Sequence, residues 1–211
     1  MTLNFIHSDK YADAIKVASK FTETNNHRPI LLFVNHRTDG MIEATDSKAF
    51  IQIKNIHGFD KNYLVHPKTL EFATGNYPNL DKSIGEYGDD TVITLNKKQI
   101  SIWLQLHRSI NQLSKSFDPF NRTVHMDINK QISLSIGDVN AVDIDLPSEA
   151  IGGKGVFNYN VEFMRNCLEV HQVLGTNELQ INVRGKYQPV VLCDTKRDVV
   201  CGFSPIRTYK D

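Results

Sequence analysis

An α+β fold of two strand-helix-meander units is what this sequence predicts, and three observations predict it. Two segments, Lys97 to Lys115 and Val161 to Leu174, place apolar residues at helical spacing. Short alternating or continuous apolar runs separated by turn residues surround them, as antiparallel hairpins require. Strands and helices do not alternate one for one, so no parallel sheet is expected. The 211 residues suffice for one large domain or two small ones, and the glycine and acid of Gly85 to Asp90 suggest a division into 1–88 and 89–211.

In chain order, Leu3 to Ile6 reads as a short strand. Ser8 to Thr22 reads as an amphipathic helix with Ser8 as its N-cap. Ile30 to Val34, Gly40 to Ala44 and Ala49 to Ile53 then form a meander, turned at Thr38-Asp39-Gly40. Val65 to Thr74 reads as a strand leading into a short helix, closed by the turn residues Gly75 to Asn79. In the second unit Thr91 to Leu95 is a strand, Asn96 a cap, and the helix after it shows Ile100, Trp103, Leu106, Ile110 and Leu113 on one face. Thr123 to Ile128 and Gln131 to Ile136 form a hairpin. Ala141 to Leu146 and Val156 to Tyr159 are strands, with Gly152 to Gly155 as a turn. The second helix carries Phe163, Met164, Cys167, Leu168 and His171 near one face, and Leu179 to Val183, Pro189 to Cys193 and Val199 to Phe203 are closing strands.

Composition narrows the function. No apolar run reaches the roughly 18 residues of a membrane span, and Met1 to Ala14 lacks a basic start followed by an apolar stretch, so a cytoplasmic protein without membrane contact is expected. Cys167, Cys193 and Cys201 form no C-x-x-C pair and read as buried thiols. The 24 basic and 24 acidic residues cancel, which alone gives no reason to expect a nucleic-acid partner. Their distribution is uneven. Lys97, Lys98, Arg108 and Lys115 lie on one helix that has no Asp or Glu from Lys97 to Ser116. That stripe is either a solvated face or a surface for anions.

No catalytic or metal-binding motif is present. The eight histidines form no H-E-x-x-H and no pair at i, i+4, so most read as surface or half-buried residues. Gly152 to Gly155 lacks the P-loop pattern, and no G-x-S-x-G occurs. Asp143 and Asp145, at period two, read as the wet face of an edge strand. No catalytic residue, metal or cofactor is expected. A hydrolase would need a convergent His/Asp/Glu cluster with no sequence signature.

Two stretches go further. Tyr159-Asn160-Val161-Glu162-Phe163-Met164-Arg165-Asn166-Cys167-Leu168 and Ser204-Pro205-Ile206-Arg207-Thr208 resemble the last helix and the closing strand of the bacterial DNA polymerase III beta sliding clamp. Arg28-Pro29-Ile30-Leu31, Asp39-Gly40, Glu43 to Phe50, and Gly75-Asn76-Tyr77-Pro78-Asn79 resemble that family's middle domain and the connector after it. The resemblance implies a DNA-clamp fold in which the chain matches the middle domain, shortened between Phe50 and Gly75, and the last domain.

It further implies a processivity factor without enzymatic activity, and the small size suggests a phage or mobile-element origin. Double-stranded DNA would be met without sequence preference by Lys10, Lys16 and Lys20 of the first helix and by Lys97, Lys98, Arg108 and Lys115 of the second. DNA polymerase and clamp-loader peptides would enter a pocket walled by Thr45, Ser47, Lys48, Ala49 and Phe50, then Pro78, Lys82 and Ser83, then Phe203, Ser204, Pro205, Ile206 and Arg207. Acidic residues at Asp138, Asp143, Asp145 and Glu149 would sit away from DNA. A homo-oligomer is implied, a trimer if two-domain chains close a six-domain ring. The alternative is a clamp-derived interaction protein that binds clamp partners or a host clamp without encircling DNA.

Overall fold

Asn96 sets the start of the longest helix. In the computed structural model, which describes residues 3–25, 27–85, 90–136 and 142–207 and all their side chains but those of Ser83 and Phe117, the Gln99 amide donates to Asn96 Oδ1 at 3.0 Å. The Asn96 amide donates in return to Gln99 Oε1 at 2.9 Å. This reciprocal cap satisfies two amides that a helix start leaves without partners. The described helices are α1 (Tyr11–Ala18), α2 (Asp81–Ile84), α3 (Lys97–Phe117) and α4 (Val161–Leu174). The strands are β1 (Val34–His36), β2 (Ile42–Thr45), β3 (Ala49–Ile53), β4 (Tyr63–Val65), β5 (Phe72–Ala73), β6 (Thr91–Asn96), β7 (Thr123–Ile128), β8 (Ile132–Ile136), β9 (Val142–Leu146), β10 (Ala150–Gly152), β11 (Gly155–Asn160), β12 (Glu178–Val183), β13 (Val190–Asp194) and β14 (Val199–Phe203).

The strands form two antiparallel sheets. One has ten strands in the order β10-β6-β12-β13-β14-β3-β2-β1-β4-β5, the other four in the order β11-β7-β8-β9. The larger sheet joins the two halves of the chain, because β14 pairs with β3 from Val199 opposite Ile53 to Phe203 opposite Ala49. The expected boundary at residues 88 and 89 lies outside the described residues, as do Asp138 and Thr208.

One face of the large sheet and the apolar faces of α1, α3 and α4 share a continuous core with the smaller sheet. Alternation along the strands divides the layers: Ile51, Leu192 and Cys201 point into this core, and Phe50, Val191 and Val200 point the other way. There the segment 77–84 lies across the sheet, with Leu80 against Phe50, Val191, Cys193 and Val200. Helix α4 touches both α1 and α3. It ends at Gly175, whose φ of +78° suits a residue without Cβ.

Several sequence expectations change. Leu3 to Ile6 forms no strand; the chain there is held by the Gly58 amide donating to the Ile6 carbonyl at 2.7 Å. Ser8 is not an N-cap, since α1 begins at Tyr11 after Lys10 and only the Ser8 carbonyl accepts, from the Tyr11 amide. Pro29 opens a 3-10 turn (Pro29–Leu32) where a strand was expected, as its fixed φ favours. Val65 to Thr74 contains no helix; its strands β4 and β5 pair as a small hairpin. On α3 the apolar face rotates: Leu104, His107 and Ser114 are buried, and Leu113 is 40% exposed. His36, His57, His107 and His171 are all buried, contrary to the surface reading, and each has a hydrogen-bonding partner. The three cysteines are buried and free. No described helix is long and apolar enough to cross a membrane, and no His/Cys/Asp/Glu group suited to a metal occurs among the described residues.

Candidate functional site

Two surfaces gather the residues singled out in the sequence. The first is a cleft of about 770 Å³ on the side of the large sheet away from α1, α3 and α4. One wall is the tight turn between β2 and β3. There Asp46 Oδ1 accepts from the Lys48 and Ala49 amides at 2.8 and 2.7 Å, and Thr45 Oγ1 accepts from the Ser47 amide at 3.0 Å. This Asx-type turn places Ser47 at φ +75° and leaves Lys48 exposed. The Ser204 amide donates to the Lys48 carbonyl at 2.8 Å and ties the end of β14 to the turn.

The opposite wall is the segment 77–84, anchored at three points. Tyr77 Oη accepts from the Thr45 amide at 3.0 Å, and burial pushes that phenol's pKa well up, so it stays protonated. Leu80 is 4% exposed. Asp81 Oδ1 accepts from Gln52 Nε2 at 2.9 Å, which also donates to the buried Glu43 at 3.1 Å. Asn35 Nδ2 donates to the other Glu43 oxygen at 2.8 Å, and Arg37 Nη1 lies 3.7 Å from that carboxylate. The stripe Asn35, Glu43, Gln52 thus crosses three paired strands and continues into the segment above it. A buried carboxylate needs such partners.

The floor rests on a glycine. A Cβ on Gly202 would lie 2.5 Å from the Val190 carbonyl oxygen and 2.7 Å from Phe50 Cζ, so the Phe50 ring reaches its position only because residue 202 has no side chain. Of the proposed pocket residues, Thr45, Ser47, Lys48, Ala49, Phe50, Pro78, Lys82 and Ser204 line the cleft. Phe203, Pro205, Ile206 and Arg207 do not line it. Phe203 faces the helices, its ring 5.8 Å from that of Tyr159. After Ser204 the chain leaves for the smaller sheet, where the Ile206 amide donates to the Asn158 carbonyl at 2.7 Å, and Arg207 lies over the Tyr187 ring. Arg28, Ile30, Leu31, Asn79, Leu80, Gln188 and Pro189 complete the lining and were not among the expected pocket residues.

The second surface is the helix layer. Lys97, Lys98, Arg108 and Lys115 are exposed on the solvent face of α3, among Gln105, Ser109, Gln112 and Ser116. The first turn of α3 carries no acid. Two lysines there oppose the positive helix end, a placement that folding alone disfavours. Lys10, Lys20 and Arg108 have partners within the protein. Lys10 Nζ donates to the Leu174 carbonyl at 2.7 Å, at the C-terminus of α4. Lys20, in the 3-10 turn (Ser19–Phe21) after α1, lies 2.6 Å and Arg108 of α3 3.9 Å from Glu169 of α4, so one carboxylate joins the three segments. Lys16 is exposed on α1. Glu149 is not remote from this layer: it accepts from Asn96 Nδ2 at 2.7 Å, beside the start of α3, where a carboxylate offsets the helix dipole. Asp143 and Asp145 are exposed on the edge strand β9.

No protein-family model and no curated protein matches the chain. Solved structures do. A DNA polymerase sliding clamp from Bacillus subtilis superposes with a TM-score of 0.80 at 18% identity, over 99% of this chain and 67% of its own. This chain has the sliding-clamp fold. The DNA polymerase III beta chain of Streptococcus pneumoniae (TM-score 0.79, 18% identity, 99% of this chain and 66% of its own) agrees. So does the beta subunit from Streptococcus pyogenes (0.80, 17%, 99% and 67%). The chain therefore spans about two thirds of the length of the clamps it matches.

Proposed function

We propose that this protein is a sliding-clamp-like processivity factor, without enzymatic activity, that contacts duplex DNA through its helix layer and docks polymerase and clamp-loader peptides in the cleft. The superposition on clamps over 99% of the chain carries the reading. Physically, the solvent face of α3 suits sequence-independent phosphate contact: four cations on flexible stems, separated by neutral polar side chains, give an attraction that salt weakens and that fixes no register. Several copies assembled into a ring would present that face to DNA repeatedly, and a trimer is the expected closed form.

A second reading has its own support. Lys10, Lys20 and Arg108 contact α4, two of them at Glu169, which lowers the net positive charge of the layer. A clamp-derived protein that keeps the cleft but does not encircle DNA would tolerate this. The mass in solution together with binding to a nicked plasmid separates the two. A ring-forming oligomer whose plasmid association disappears in the K97E/K98E/K115E variant supports the first. A monomer indifferent to DNA that still binds a clamp-partner peptide supports the second.

A further inference from the structure

The cleft has a one-sided charge. Its lining contains Arg28, Lys48 and Lys82 and no carboxylate. Of the acids in its two walls, Asp46 is turned onto the amides of its own loop, and Asp81 accepts from Gln52 and lies 3.5 Å from Arg37. All three cations are exposed, and none has a carboxylate within salt-bridge distance among the described residues. Lys48 belongs to the turn between β2 and β3, Arg28 lies beside that turn with Nη1 donating to Ser47 Oγ, and Lys82 belongs to the segment 77–84 opposite. Between them Leu31, Phe50 and Leu80 supply an apolar floor.

We infer that the occupant is an acidic peptide: an extended segment with a bulky apolar side chain against the floor and carboxylates on both sides of it. This inference rests on the peptide-docking reading of the cleft. None of the three is held in an ion pair, although Arg28 donates to Ser47 Oγ and Lys48 lies near enough to Asp46 to favour its ionised form, so much of their positive field is available to a ligand. Carboxylates placed at the rim would then discriminate partners by charge more than they add affinity. Single-stranded nucleic acid is the other polyanion to consider. It binds by stacking successive bases on several aromatic rings, and the lining offers one, Phe50.

The test is selection of a random decapeptide phage library on the full chain, followed by affinity measurement of the most enriched peptide and of its analogue with every Asp and Glu changed to Asn or Gln. The acidic peptide should bind roughly tenfold more tightly than the amide analogue at low salt, as a few exposed charge pairs allow, and the difference should shrink at 0.5 M salt. K48E/K82E should remove that preference and favour a lysine-bearing analogue. Enriched peptides that compete at the cleft but are neutral or basic, or equal binding of the two analogues, overturn the inference while leaving peptide docking intact. A thymidine 20-mer that binds more tightly than the peptide and fails to bind K48E/K82E overturns it in favour of nucleic acid. If no peptide is selected, or if binding survives Phe50→Asp in a folded variant, both the inference and the docking reading fail.

Discussion

Lowering the pH from 7.5 to 4.5 should remove most of this protein's stability, through three histidines that its core holds neutral. Burial lowers the pKa of His36, His107 and His171 from 6.5 to about 4; at His36 the neighbouring His57 adds to the effect. The geometry fits the neutral rings. His107 Nδ1 donates to the Trp103 carbonyl at 2.8 Å, so Nε2 is left to accept from the Tyr159 hydroxyl at 2.8 Å. His36 lies between the Val34 carbonyl at 3.1 Å and the Tyr11 hydroxyl at 3.0 Å. His171 lies between the Thr176 hydroxyl at 3.0 Å and the Cys201 thiol at 3.5 Å. Because the folded pKa values lie below the unfolded one, the unfolded chain takes up protons first as pH falls through 6.5, and stability drops until about pH 4. Each group then costs about 2–3 kcal/mol by pH 4.5, and the three together several kcal/mol, against a typical total of about 5–15 kcal/mol. Urea unfolding followed by the fluorescence of the single tryptophan, Trp103, which is fully buried, measures this at successive pH values. Near pH 5 the stability should change by roughly 4 kcal/mol per pH unit, and His107→Gln should lower that slope by about one proton. A wild-type slope below one proton, or one that neither His107→Gln nor His171→Gln reduces, would refute the assignment of neutral buried rings.

Three further outcomes are expected. Gly202→Ala should destabilise the fold by about 1–3 kcal/mol in the same assay, because its Cβ overlaps the Val190 carbonyl and the Phe50 ring, and it should weaken peptide capture by displacing the floor. Asn96→Ala removes the side-chain half of the α3 cap and should cost about 0.5–2 kcal/mol, with the proton-linked slope unchanged. In the K97E/K98E/K115E variant the dependence of log affinity for nicked plasmid on log salt should become shallower by about two to three, at about 0.9 for each phosphate no longer neutralised. An unchanged slope would place DNA elsewhere.

Periodicity and capping made most of the second unit legible. The ranges of α4 and β14 coincide with the expected segments, as does that of β3 in the first unit, and Asn96 caps α3 as expected. Local pattern was less informative where other forces decide. The Leu3 to Ile6 segment has strand-like residues, but the bridge nearest to it is a single one, between His7 and His57. The cleft was half legible: the turn from Thr45 to Phe50 and Pro78 could be placed by resemblance. Gln188 and Pro189 reach it only because β13 and β14 lie beside β3 in the sheet, a long-range order that no local signal encodes. Of the C-terminal residues Ser204 lines the cleft, but β14 alternates, so Phe203 faces the helices, and the chain then leaves for Asn158. Charge was legible by stretch and misleading by residue. The acid-free sequence of α3 identified an exposed basic face, whereas the contacts of Lys10, Lys20 and Arg108 with α4 depend on how three helical segments pack.

The most direct test of a clamp-like role is retention on DNA of defined topology. The protein is assembled on a nicked circular plasmid at high concentration, passed over a sizing column in moderate salt, and passed again after the plasmid is cut once. A ring around DNA predicts coelution with the circle and release on linearisation, whereas equal retention on circle and line, or retention on neither, would contradict encirclement.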